Sequence, residues 1–209
     1  NGLPAIVAKS TYLPNDWQDV KIHLNFTTNK MTLWVEDVLV NTGNIFASPA
    51  QDLSKMYFKF RSNVAAAKFT YIDDIDISPY VYVQPEPNSK NTKTVFGTST
   101  ALFSDDFKNR TPGAELPVGG VYDKSTTNWS TLSKPATGTV TVEQEANGNN
   151  YLKLASTNTA DDTVKVIKML NLTNNKKIAV DFKVKTNGRA VYVDLNNYAG
   201  GTDTNLIGF

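Results

Sequence analysis

FTYIDDIDI, Phe69 to Ile77, alternates like a β-strand yet carries three aspartates, Asp73, Asp74 and Asp76. Successive strand side chains point to opposite faces, which predicts that Phe69, Tyr71, Ile75 and Ile77 share an apolar face with Asp73, while Thr70, Asp74 and Asp76 take the other. LFSDDF, residues 102–107, repeats the arrangement: Phe103 and Phe107 flank Asp105, and Asp106 points away. Each strand therefore sets one carboxylate on an apolar face. An unpaired charge there is so costly that it must find cations or several hydrogen-bond donors.

The same period of two runs through most of the chain. In VKIHLNFTTNKMTLWV, Val20, Ile22, Leu24 and Phe26 alternate up to a TTNK turn, and Met31, Leu33 and Val35 resume beyond it, predicting a hairpin. KKIAVDFKVKTNGRAVYVDL predicts a second hairpin, with Ile178, Val180, Phe182 and Val184 before Asn187-Gly188, and Val191, Val193 and Leu195 after it. Asn-Gly favours the type I′ turn, which needs positive φ at both central residues. Further strands are predicted at MYFKFRS, TVTVEQEA, YLKLAS and TVKVIKML, and only a short turn near SPAQDLSK interrupts the pattern. Many short strands with polar turns predict an all-β protein, an antiparallel sandwich or jelly roll.

Composition limits the function. The 209 residues carry a net charge of +1 with acids and bases interspersed, so no basic stripe for nucleic acid stands out. No apolar run approaches the roughly 20 residues of a membrane-spanning helix, so no membrane insertion is expected. The absence of cysteine removes disulfides, thiol catalysis and thiolate metal sites. The chain starts at Asn1 without Met or a signal peptide, which reads as a processed or partial stretch of something longer.

Residues 79–100, with Pro79, Pro85 and Pro87 before a polar NSKNTK run, read as a linker between unlike flanks, 1–78 and 101–209. The later flank, with LFSDDFKN, NWS and GTVTVEQEANGNNYLKLAS, resembles the N-terminal half of a concanavalin A-like (laminin G-like) jelly roll of the kind attached to bacterial extracellular polysaccharide-acting proteins. The earlier flank, with DWQDVKIHLNFTTNKMTLWVEDVLV and FTYIDDIDIS, resembles the C-terminal half of the same domain. The order is inverted. A mid-repeat phase in a tandem array, a circular permutation, or two half-domains each completed by a neighbouring chain would all produce it. In the last case partner strands come from the next subunit and the contact propagates as a fibre.

The resemblance implies an exported, non-catalytic sandwich at or outside the cell surface, structural or adhesive, with adjacent repeats or copies of itself as partners. A carbohydrate-binding module of a polysaccharide-degrading enzyme is the alternative. First and last strands of such jelly rolls pair, so Asp73 and Asp105, with Asp74 or Asp106, are expected to converge on a structural Ca²⁺, a cation that takes six to eight oxygens in flexible geometry. The competing expectation is that these acids accept backbone N–H bonds at strand ends.

Polysaccharide as partner directs attention to outward aromatic rings flanked by polar groups. Trp34, Tyr192, His23 and Lys21 fit by phase, lying opposite the apolar positions of their strands. Trp17 and Trp129 are expected to plug the ends of the core. Catalysis finds little footing: His23 is the only histidine, and no G-x-S-x-G or H-E-x-x-H occurs. Glu143 and Glu145 share a strand face, but the E-x-D-x-x-E pattern of concanavalin A-like glycosidases is missing.

Overall fold

A computed structural model describes residues 15–44, 53–62, 68–79, 100–116, 129–157, 162–172, 177–187, 190–199 and 202–207. The linker, apart from its first and last residues, and most of SPAQDLSK lie outside these. Among the described residues there is no helix; thirteen strands form two antiparallel sheets packed face to face as a β-sandwich.

The larger sheet runs β3 (Val38–Asn44), β2 (Lys30–Val35), β1 (Gln18–Asn25), β11 (Lys177–Thr186), β5 (Lys68–Pro79), β9 (Asn150–Ser156) and β8 (Gly138–Gln144). An eighth strand, β6 (Phe103–Asp105), continues the line of β9 along the end of β5, pairing Ile77 with Phe103 and Ile75 with Asp105. The smaller sheet runs β13 (Thr202–Ile207), β12 (Ala190–Ala199), β4 (Leu53–Ser62), β10 (Asp162–Leu172) and β7 (Ser130–Ser133).

The two flanks of the linker interleave strand by strand. β11 lies between β1 and β5, and β4 lies between β12 and β10. Among the described residues both sheets therefore draw strands from both flanks of one chain. Inward side chains of both sheets form one core, including Ile22, Leu24, Phe58, Phe60, Ile72, Val164, Val180 and Phe182. Phe58 meets Phe182 edge-on across the layers at 5.2 Å between ring centroids. Each such side chain contributes about 1.5–3 kcal/mol by leaving water.

The β1–β2 hairpin forms as predicted, with Leu24 opposite Met31 and Val20 opposite Val35. The Asn187-Gly188 prediction is corrected: β11 belongs to the larger sheet and β12 to the smaller, so the chain crosses between layers there instead of folding back. Asn187 instead brackets β5, its Oδ1 accepting the Phe69 N–H at 2.7 Å and its own N–H donating to the Phe69 carbonyl at 3.2 Å. Glu36-Asp37 (φ 51 and 57) is a two-residue turn with positive φ at both positions, closing β2 on β3.

β5 holds the second correction. Its register against β11 pairs Lys183 with Asp73 but Asp181 with Asp76, so β5 carries one extra residue there, and Asp74 takes φ 47. A bulge of this kind inverts the side-chain phase beyond it. Thr70 and Ile72 face the core before the bulge and Ile75 and Ile77 after it, while Phe69 and Tyr71 turn outward instead of lining the core with the isoleucines.

Candidate functional site

Inverting the phase of β5 assembles an aromatic cluster on the outward face of the larger sheet. Tyr71 stacks on Phe69 at 4.4 Å, and Tyr151, from β9, lies 4.6 Å from Tyr71. Trp17, immediately before β1, meets Tyr151 edge-on at 5.9 Å and Tyr71 at 6.3 Å. Trp17 therefore does not plug the core, as expected, but stands on the outer face. Two local contacts fix it there: its N–H bonds Asp16 Oδ1 at 2.9 Å, and Asn15, at φ 65, donates its N–H to the Thr186 carbonyl at 3.1 Å. The ammonium of Lys185 sits 5.8 Å from both the Trp17 and Tyr71 rings, within cation–π range.

The β8–β9 turn supplies the polar wall. Gly148, at φ 88, lets the chain reverse, with its N–H donating to the Glu145 carbonyl and the Glu145 N–H to the Asn149 carbonyl. Glu145 Oε1 accepts the Trp17 indole N–H at 2.9 Å. Asn149 donates its side-chain amide to Asp73 Oδ2 at 2.5 Å, and Asp73 Oδ1 accepts the Asp74 N–H at 2.8 Å. Together Trp17, Asp73, Asp74, Glu145, Asn149, Lys108 and Lys183 line a cleft of about 530 Å³. Burial pushes the carboxyl of Asp73 above the usual range against the opposing effect of its two donors. Burial, with Tyr71 and Glu143 nearby, raises the Tyr151 hydroxyl to about 12 and keeps it a neutral phenol.

A second recess, of about 370 Å³, adjoins the first and shares Asp74 and Lys183, whose ion pair is 2.8 Å long. Lys21 and Asp181 in its wall belong to a cross-strand row in which Trp34 is opposite Lys21, Lys21 opposite Asp181, and Asp181 opposite Asp76. Asp181 Oδ1 is buried without a hydrogen-bond partner. Burial lifts its carboxyl to about 6, reinforced by Asp76, Asp19 and Asp37 against the pull of Lys21.

The sequence-predicted residues divide between places. Trp34 and Lys21 share the outward face of the larger sheet. His23 is buried, not solvated as its strand phase implied, and packs 4.4 Å from the Trp34 ring; burial and then Lys21 lower its pKa to about 4. Tyr192 belongs to β12 of the smaller sheet and so does not share a sheet with Trp34; its side chain lies outside the described residues.

The four aspartates do not share one centre. Asp105 is held by three donors, the Phe107 N–H at 2.9 Å, Arg110 at 2.8 Å and the buried Trp129 indole at 3.0 Å. Asp106 pairs with Lys108 at 2.8 Å and accepts its backbone N–H as well. Asp73 and Asp74 face the cleft. Among the described residues, no three His, Cys, Asp or Glu side chains stand close enough together to hold a metal ion.

Sequence reasoning missed Trp17, Tyr71 and Tyr151. Tyr71 was hidden by the bulge and Trp17 by its place outside a strand; the turn signal Asn147-Gly148 before Tyr151 was the available clue. No protein-family model matches the chain, and no curated protein is detectably similar to it.

Proposed function

We propose that the chain is a non-catalytic β-sandwich module of an exported or cell-surface protein that adheres to polysaccharide through the Trp17 cleft. One observation supports this above the others. An indole held by Glu145 walls a cleft whose other sides are carboxylates, an amide and ammonium groups. Sugar rings offer C–H faces that stack on aromatic planes and a rim of hydroxyls that such groups bind. Fixing Trp17 in advance spares the ordering cost of binding. The non-catalytic reading draws on the carboxylates being engaged: Asp73 by Asn149 and the Asp74 N–H, Glu145 by Trp17 and by Asn147 at 3.3 Å. The placement outside the cell rests on the resemblance to modules of extracellular polysaccharide-acting proteins.

Affinity electrophoresis through gels containing soluble polysaccharides tests the proposal. Wild-type protein is expected to be retarded by at least one, and Trp17→Ala to migrate freely while keeping the wild-type circular dichroism. Retardation unchanged in Trp17→Ala would overturn it.

The structural-repeat reading has one observation in its favour. Among the described residues β3 pairs only with β2, and at its start Val38 and Leu39 are 62% and 56% exposed. An open edge with apolar side chains invites contact with a neighbouring copy or repeat. Sedimentation velocity of Leu39→Lys against wild type tests it: loss of a concentration-dependent dimer is expected, and identical monomers in both would dismiss it.

A further inference from the structure

The two recesses share Asp74 and Lys183, and their walls come from the β8–β9 turn and from strands β5, β11 and β1. Strands are about 4.8 Å apart, so from β5 to β1 the joined depression crosses two strand spacings, roughly 10 Å, with Trp34 one strand farther on in the row of Lys21. This exceeds the width of a single sugar ring. Among the described residues six carboxylates line the joined depression, Asp19, Asp37, Asp73, Asp74, Asp181 and Glu145, against three lysines, Lys21, Lys108 and Lys183. An excess of carboxylate repels a polyanion along the whole contact but offers acceptors to hydroxyl or amine donors. Asp181, which lines the second recess, supplies one such carboxylate.

We propose that the two recesses form one groove that holds a stretch of a linear, non-anionic polysaccharide laid across the strands, with Trp17 stacking one ring and the Lys21–Asp181 recess binding the hydroxyls of rings farther along. This rests on the glycan-binding reading above and adds to it the chain length, direction and charge class of the ligand. Each added ring brings further hydrogen bonds, so affinity climbs with chain length until the groove is filled. A uronic-acid polymer gains no such increment, because every ring adds a charge opposite the carboxylates.

Isothermal titration with cello-, xylo-, laminari- and chito-oligosaccharides of two to six units, and with galacturonate oligomers of the same lengths, tests the proposal. For one of the neutral or amino-sugar series, affinity is expected to rise about tenfold from two to five units, equivalent to about 1.4 kcal/mol, with the galacturonates weaker at every length. Lys21→Ala, and as a second variant Asp181→Asn, are expected to lower pentamer affinity about fivefold while leaving dimer affinity unchanged; Trp17→Ala lowers both. If dimer and pentamer bind equally in wild type, or Lys21→Ala and Asp181→Asn weaken both lengths alike, the extended groove is overturned while glycan binding at Trp17 stands. Tighter binding of galacturonates overturns the charge class. No binding by any series overturns the groove and the glycan-binding reading together.

Discussion

Asp181→Asn should make the protein more stable at neutral pH, and the gain should disappear in acid. Asp181 carries a buried Oδ1 with no partner and stands opposite Asp76 on one side and Lys21 on the other. Its carboxyl is pushed from 3.8 to about 6, first by burial and then by Asp76, Asp19 and Asp37, with Lys21 opposing. A shift of about 2 units corresponds to roughly 3 kcal/mol between the protonated and ionised forms; allowing for solvent screening at a partly exposed site, about 1–2 kcal/mol is expected. Because the folded pKa lies above the unfolded one, folding takes up a proton. The contribution is most favourable below pH 3.8, declines as pH rises from there to about 6, and is lost above that. Asparagine keeps the shape and removes the charge, so the variant should gain about 1–2 kcal/mol at pH 7.5, or roughly 2–8 °C in Tm for a chain of this size, and nothing at pH 3.5. His23 acts in the opposite sense. Its pKa is lowered to about 4, so its contribution is complete above pH 6.5 and fades as pH falls from there towards 4. Comparing the variant with wild type at each pH cancels that background. Urea unfolding at pH 3.5, 5, 6 and 7.5 reads the difference; destabilisation by Asp181→Asn at pH 7.5, or a gain independent of pH, would refute the reasoning.

Three further expectations concern the frame around the site. Asp105→Asn removes the charge that Arg110 and Trp129 share and should cost about 2–4 kcal/mol; EDTA or added Ca²⁺ should leave the wild-type Tm unchanged, and a calcium-dependent rise of several degrees would contradict the assignment of Asp105 to that network. Gly138→Ala would place a Cβ 2.8 Å from Pro135 Cδ and 3.0 Å from a Val164 methyl, and should cost about 1–3 kcal/mol in thermal unfolding; an unchanged Tm would show that the Pro135 turn yields freely. Because Leu102 donates its N–H to the Ile77 carbonyl at 2.7 Å and Phe103 pairs with Ile77, replacing residues 80–100 by a four-residue turn should leave a folded monomer; an obligate dimer by size-exclusion chromatography with light scattering would show that the two flanks meet between chains.

The sheets were legible where local alternation and burial agree. β1 and β2 show it: Val20, Ile22, Leu24, Met31 and Leu33 are buried in the phase their spacing implies. Period alone does not say which sheet receives a strand, and for that reason Asn187-Gly188 read as a hairpin although β12 crosses to the other layer. The candidate site was less legible because it depends on one inserted residue. Until the bulge at Asp73-Asp74 is counted, Phe69 and Tyr71 fall on the core side and the acid looks misplaced. The paired aspartates hinted at it, since Asp accepts positive φ more readily than a β-branched residue does. Trp17 and the Glu145–Asn149 turn meet Tyr71 only through long-range pairing of β5 with β9 and β11, which no local pattern encodes.

Glycan held at the Trp17 cleft would be read most directly from the indole N–H resonances of Trp17 and Trp129. In ¹⁵N-correlated NMR spectra during titration with the tightest-binding oligosaccharide, the Trp17 indole peak should shift progressively. That of Trp129, fully buried against Phe58 and Phe107 and bonded to Asp105, should stay in place. A stationary Trp17 peak under saturating oligosaccharide would contradict the account.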